Sequence, residues 1–200
     1  MTGRGGLDSR PPESIVLDTD GVLLDSAVVH AAAWKIAFDA CLDRLAPDIR
    51  AFVDLLRTKG VTAFADAGPA LMALRTAGVP CAAVSASRHA RTLIRAAGLA
   101  GLLTVIVDGE DAAGLGLAGK PDPALFLRAA ALLGSRAQES AVAEDALAGV
   151  EAARRGGFGL VVGVDRTPLR STTALLREQG ADLVVPDLAA LVRSVWGERG

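Results

Sequence analysis

Cysteine is scarce, neither sign of charge is in excess, and no apolar stretch is long. Cys41 and Cys81 are the two cysteines of a 200-residue chain. So few, so far apart, they exclude a disulfide framework and fit small buried thiols in a reducing compartment. A formal net charge of −2 gives no electrostatic basis for binding nucleic acid or an anionic membrane. No apolar run reaches the length of a membrane-spanning helix. Residues 1–13 are rich in Gly, Arg and Pro and lack the apolar stretch of a signal peptide, which predicts a disordered tail. Together these features predict a soluble cytoplasmic protein with no nucleic-acid or membrane partner. What the chain does have is apolar content, 51% against 22% charged. That suits one domain, or one domain with a small insertion.

From residue 66 onward, apolar strand-like runs alternate with helical patterns. Val79–Ser85, Leu103–Val107, Ala141–Ala143, Leu160–Val164 and Leu183–Val185 are predicted strands. Helical patterns fall at 67–77, 87–97, 121–133, 146–155, 167–179 and 188–196, several closed by glycine. Pro121 is expected in the first turn of its helix. Asp108-Gly-Glu110-Asp111 and Gly114-Leu-Gly116 are expected as loops. Short apolar strands between helices predict a doubly wound parallel sheet, Rossmann-like, covered on both faces. Residues 27–66 break the alternation: they show no strand pattern, only helical stretches at 27–45 and 47–59. The expected organisation is an α/β core over 14–26 and 67–200 with a small helical insertion over 27–66. Either a lid over the strand ends or an ordinary helical crossover would satisfy that pattern.

The strand ends carry the chemistry. Residues 14–26 read Ser-Ile-Val-Leu-Asp-Thr-Asp-Gly-Val-Leu-Leu-Asp-Ser. Strand side chains alternate, so Asp18 and Asp20 should point the same way at the carboxyl end of a strand, where open α/β sheets bind ligands. Two carboxylates that close need a cation or a shared proton. Ser85, Lys120 and the pair Glu144-Asp145 stand at or near the ends of later strands and would open onto the same edge. Singly, each has a plainer reading: a turn, a helix cap, a solvated lysine. As a set they fit phosphoryl transfer, with a carboxylate to attack phosphorus, hard oxygen ligands for Mg²⁺, and a lysine and hydroxyl for the phosphate oxygens.

The sequence resembles the haloacid dehalogenase superfamily, in its β-phosphoglucomutase and phosphoglycolate phosphatase branch. Asp18-Thr-Asp20-Gly-Val-Leu-Leu-Asp25-Ser26 is similar to the first family motif, Ser85 to the second, Lys120 in Gly119-Lys120-Pro121-Asp122-Pro123 to the third, and Glu144-Asp145 to the fourth. The resemblance implies that Asp18 is the nucleophile, Asp20 the general acid/base, and Ser85 and Lys120 the phosphate-holding residues. It also implies a Mg²⁺ site from Asp18, Asp20, Glu144 and Asp145, and substrate contacts from Ser87, Arg88 and the cap residue His30. The sequence departs from the branch in its shortened cap and in His89. Arg50, Arg57 and Lys59 are the cations the cap offers for a distal phosphate, and none of them aligns with a family position. The leading expectation is a Mg²⁺-dependent phosphohydrolase acting on a small phosphorylated metabolite through an aspartyl-phosphate. A sugar-phosphate mutase and a non-catalytic accessory domain stand as alternatives. Oligomeric state is not encoded in any pattern found.

Overall fold

The computed structural model describes residues 10–25, 61–167 and 170–197. The expected cap helices at 27–45 and 47–59, with His30, Arg50, Arg57 and Lys59, lie outside the described residues, as do residues 1–9 of the expected tail. Pro12 and Glu13 are bonded to the body: Trp196 Nε1 donates to the Pro12 carbonyl at 3.1 Å and Glu13 N–H to the Glu139 carbonyl at 2.8 Å.

The elements run β1 (Ser14–Asp18), β2 (Leu24–Asp25), β3 (Thr62–Ala63), α1 (Ala67–Thr76), β4 (Cys81–Val84), α2 (Ala90–Ala96), β5 (Val105–Val107), α3 (Gly109–Leu115), α4 (Ala124–Leu132), β6 (Ser140–Glu144), α5 (Leu147–Arg155), β7 (Leu160–Val164), α6 (Arg170–Glu178), β8 (Leu183–Val185) and α7 (Leu188–Val195). Six strands form one parallel sheet in the order β5-β4-β1-β6-β7-β8. This is the doubly wound, Rossmann-like α/β fold.

Strand periodicity sorts the core. Ile15, Leu17, Cys81, Ala83, Ala141, Ala143 and Val162 pack on one face with Leu71 and Leu74 of α1 and Leu188 and Leu191 of α7. Val16, Ala82, Val84, Val142 and Val161 pack on the other with Leu125 and Phe126 of α4, Val150 of α5 and Leu176 of α6. Alternate residues face opposite ways, and both faces are covered, so strands such as β1, β6 and β7 are buried along their whole length. Cys81 is buried, and burial pushes its thiol up to about 12.

Three local expectations are corrected. The 108–116 segment is a helix, α3. Asp108 accepts the amides of Glu110 and Asp111 while Asp111 accepts the Asp108 amide, a reciprocal capping box, and Gly116 closes the helix at φ 64°. The helix after Lys120 starts at Ala124, because residues 119–122 form a turn closed by Asp122 N–H on the Gly119 carbonyl, and the Asp122 carboxylate takes the Ala124 amide. Within the stretch expected to hold no strand, Thr62–Ala63 pairs antiparallel with Leu24–Asp25. Two residues are too few for a periodic signal, and it is the partner across the insertion that makes them a strand.

Candidate active site

The strand order reverses at β1, which has β4 on one side and β6 on the other. Ligands bind at such a switch point, outside the carboxyl ends of the strands. Asp18 ends β1 in register with Val84 of β4, and Leu17 is in register with Ala143 of β6. Ser85 and Glu144-Asp145 therefore emerge beside the aspartates. The six residues Asp18, Asp20, Ser85, Lys120, Glu144 and Asp145 line one cleft of about 540 Å³, with Gly21, Asp25 and Phe64 among the other wall residues. Ser87 and Arg88 are not among the residues that line it; the Ser87 hydroxyl instead accepts the His89 amide at 3.2 Å.

The turn after β1 is tied down through Thr19. Its hydroxyl and amide both donate to the Val84 carbonyl at 3.0 Å, and its own carbonyl accepts the amides of Leu23 and Leu24. That arrangement sends Thr19 away from the cleft and leaves Asp18 and Asp20 facing into it. Gly21, at φ 78°, makes the next step possible: a Cβ there would collide with Asp145 Oδ2.

Lys120 Nζ donates to Asp18 Oδ1 and, at 3.0 Å, to Glu144 Oε1. Its ammonium also lies 4.8 Å from the centre of the Phe126 ring. Ser85 Oγ donates to Asp20 Oδ2 at 3.3 Å and accepts the Ser87 amide at 3.1 Å. Burial pushes the Asp18 carboxyl up to about 6, against the pull of Lys120. Burial and the charge of Asp18 raise Glu144 well above the ordinary carboxylate range. Lys120 is held above its usual value, since Asp18 and Glu144 together outweigh the cost of burying its charge. Acid groups thus outnumber the cations lining the cleft among the described residues.

That surplus of negative charge suits a cation. Asp18, Glu144 and Asp145 each offer an oxygen, and those atoms all lie within 4.8 Å of one another. An all-oxygen donor set of this kind fits a hard divalent ion such as Mg²⁺.

Arg166, Asp66 and Phe64 were not singled out from the sequence. Arg166 follows β7 and donates from Nε to the Gly21 carbonyl at 2.9 Å and from Nη2 to the Val22 carbonyl at 2.6 Å. It also pairs with both oxygens of Asp66 at 2.9 and 3.2 Å and lies 3.6 Å above the Phe64 ring centre. The signal was available: Arg166 stands just past the end of a strand of the same parallel sheet.

Fold and site define a Rossmann-like α/β protein with a carboxylate–lysine centre at its switch point. A family model for haloacid dehalogenase-like hydrolases matches residues 38–157, and the chain belongs to that family. It is 34% identical, over an alignment 243 positions long, to the β-phosphoglucomutase of Mycobacterium bovis, covering 90% of this chain and 93% of that protein. It is 39% identical over 123 residues to the trehalose-phosphate phosphatase of Mycobacterium leprae, covering 60% of this chain and 26% of that protein. A haloacid dehalogenase family hydrolase from Deinococcus radiodurans, solved with bound phosphate and sodium, superposes with a TM-score of 0.71 at 30% identity, over 92% of this chain and 95% of that one. Family and relatives place the chain among phosphatases and phosphoglucomutases. Among the described residues, no helix is long and apolar enough to cross a membrane.

Proposed function

We propose that the chain is a Mg²⁺-dependent phosphohydrolase acting on a small phosphorylated metabolite, most simply a sugar phosphate, through an aspartyl-phosphate on Asp18. The observation that carries this reading is the pairing of Asp18 with Lys120 in a cleft that Asp20, Ser85, Glu144 and Asp145 also line. Asp18, Glu144 and Asp145 would hold the ion, with the backbone at Asp20 as a further oxygen donor. A bound Mg²⁺ supplies charge neutralisation for the phosphate and for the carboxylate that attacks it.

The chain's own groups carry the steps. An oxygen of Asp18 attacks phosphorus, and the bond from phosphorus to the ester oxygen breaks. Asp20, in its acid form, gives its proton to the departing oxygen. Asp20, now a carboxylate, then takes a proton from water. That water's oxygen attacks phosphorus, the acyl-phosphate bond breaks, and Asp18 is returned as a carboxylate. Lys120 and Ser85 would donate to the equatorial phosphate oxygens. Ser87, Arg88 and His30 would contact the rest of the substrate.

The test is a panel of phosphate monoesters with Mg²⁺. The wild type should release inorganic phosphate, and Asp18→Asn should lose at least about a thousandfold of that activity, as expected when a nucleophile is removed. Activity surviving the substitution overturns the mechanism. A second reading, sugar-phosphate mutase, is favoured by the M. bovis relative. Conversion of β-glucose 1-phosphate to glucose 6-phosphate, rather than to glucose and free phosphate, would select it.

A further inference from the structure

We infer that Arg166 is a positioning residue for the turn that carries Asp20, clamping it to the segment that follows β3. The inference builds on the proposed role of Asp20 but stands on contacts of its own.

A guanidinium has five N–H donors in a rigid fork. Four are engaged in described bonds: Nε to Gly21 O, Nη2 to Val22 O and to Asp66 Oδ2, and Nη1 to Asp66 Oδ1. One face of the group is closed by the Phe64 ring. The side chain is 16% exposed. A guanidinium so occupied is not placed to take a substrate phosphate; it is placed to hold other groups still.

What it holds is specific. Gly21 directly follows Asp20, and Phe64 and Gly21 both line the cleft. Carbonyls 21 and 22 belong to the turn before β2, while Phe64 and Asp66 follow β3. Asp66 is anchored independently, since its Oδ2 accepts the Leu188 amide at 2.7 Å and so ties it to the start of α7. Phe64 N–H donates to the Leu23 carbonyl at 3.1 Å, closing the same junction from the backbone side. Arg166 therefore joins three separate parts of the body, the turn after β1, the segment after β3 and the end of β7, at one point beside the acid/base candidate. A lysine cannot copy this: its single ammonium has neither the fork for two carbonyls and a carboxylate nor the flat face for the ring.

The experiment compares wild type with Arg166→Gln, Arg166→Lys and Asp66→Asn in the full chain. One measurement is amide hydrogen exchange by mass spectrometry; the other is kcat and KM for p-nitrophenyl phosphate with Mg²⁺. Arg166→Gln should speed exchange selectively in peptides spanning 19–25 and 61–67. It should lower kcat by about thirtyfold, in the range expected for a displaced reacting group, with KM changed less than about threefold. Arg166→Lys should not restore kcat. Asp66→Asn, which leaves both carbonyl bonds in place, should lose less than Arg166→Gln, and it carries the test if Arg166→Gln fails to fold. A rise in KM at unchanged kcat would make Arg166 a substrate contact and overturn the inference, as would full rescue by lysine or unaltered exchange in both peptides. If the wild type hydrolyses no phosphate ester, the proposed function fails, and the exchange data alone still decide whether Arg166 holds the turn.

Discussion

Glu144 is the most deeply buried of the site's charges, 1% exposed, and its position depends on a residue that makes no hydrogen bond to it. Its carboxylate leans over the first turn of α5, where Gly149 leaves room; a Cβ at that position would collide with Glu144 Oε1, the oxygen that accepts from Lys120. Gly149→Ala sets two effects against each other. Alanine is worth about 1 kcal/mol over glycine inside a helix, whereas overpacking a closed site costs about 1–3 kcal/mol. The collision is with a buried carboxylate that has little space to retreat, so overpacking should win. Gly149→Ala is expected to lower the urea midpoint slightly and to reduce kcat at least tenfold. A variant with a raised midpoint and full activity would show that Glu144 moves freely.

At the level of the element, α3 and its anchor explain why one helix escaped sequence reading. Its residues, Gly-Glu-Asp-Ala-Ala-Gly-Leu, contain two glycines and too few large apolar side chains to show a helical period. Its identity lies in its ends, in Asp108 paired with Asp111 and in the left-handed Gly116. Arg91 of α2 adds bonds to both aspartates, at 3.0 and 2.7 Å, and to the Ile106 carbonyl. Burial works to raise Asp108, but the amides of Asp111 and Glu110 and the Arg91 guanidinium outweigh it, so its carboxyl stays below the usual aspartate value of 3.8. A group depressed in the folded state lends stability at pH above its unfolded value, and that stability is lost as pH falls through the folded one. Asp108→Ala should therefore cost about 1–2 kcal/mol at neutral pH. The gap from wild type in urea unfolding should narrow below about pH 4. A gap that is constant down to pH 3 would mean that packing, not charge, is what the substitution removes. Elements made of an unbroken apolar run were legible from their own residues: β7 and β8 fall at the positions those runs mark.

Across the whole molecule, the sheet order does the assembling. Residues far apart in the chain, from Asp18 to Asp145, meet because β4 and β6 flank β1 and all their carboxyl ends open on one edge. The acidic cluster so formed predicts linkage between metal binding and folding. Mg²⁺ at about a hundred times its dissociation constant should stabilise the native state by about 2.7 kcal/mol, raising the melting temperature by roughly 5–10 °C for a domain of this size. Asp145→Asn should blunt that rise, and an unchanged melting curve with Mg²⁺ would count against the site. The sequence by itself determined the parallel α/β architecture, because buried strands between amphipathic helices have few other solutions. It also marked Asp18, Asp20, Ser85, Glu144 and Asp145 at the cleft, because the chemistry of a parallel sheet gathers at its strand ends; Lys120, expected at a strand end, instead reaches the cleft from the turn between α3 and α4. Only the tertiary structure decided which of those residues bond to one another, with Lys120 bridging Asp18 and Glu144. The same holds for the Arg166 clamp on a turn 145 positions earlier in the chain: contacts across such separations depend on the packing of the sheet and its loops, and no local pattern of residues records them.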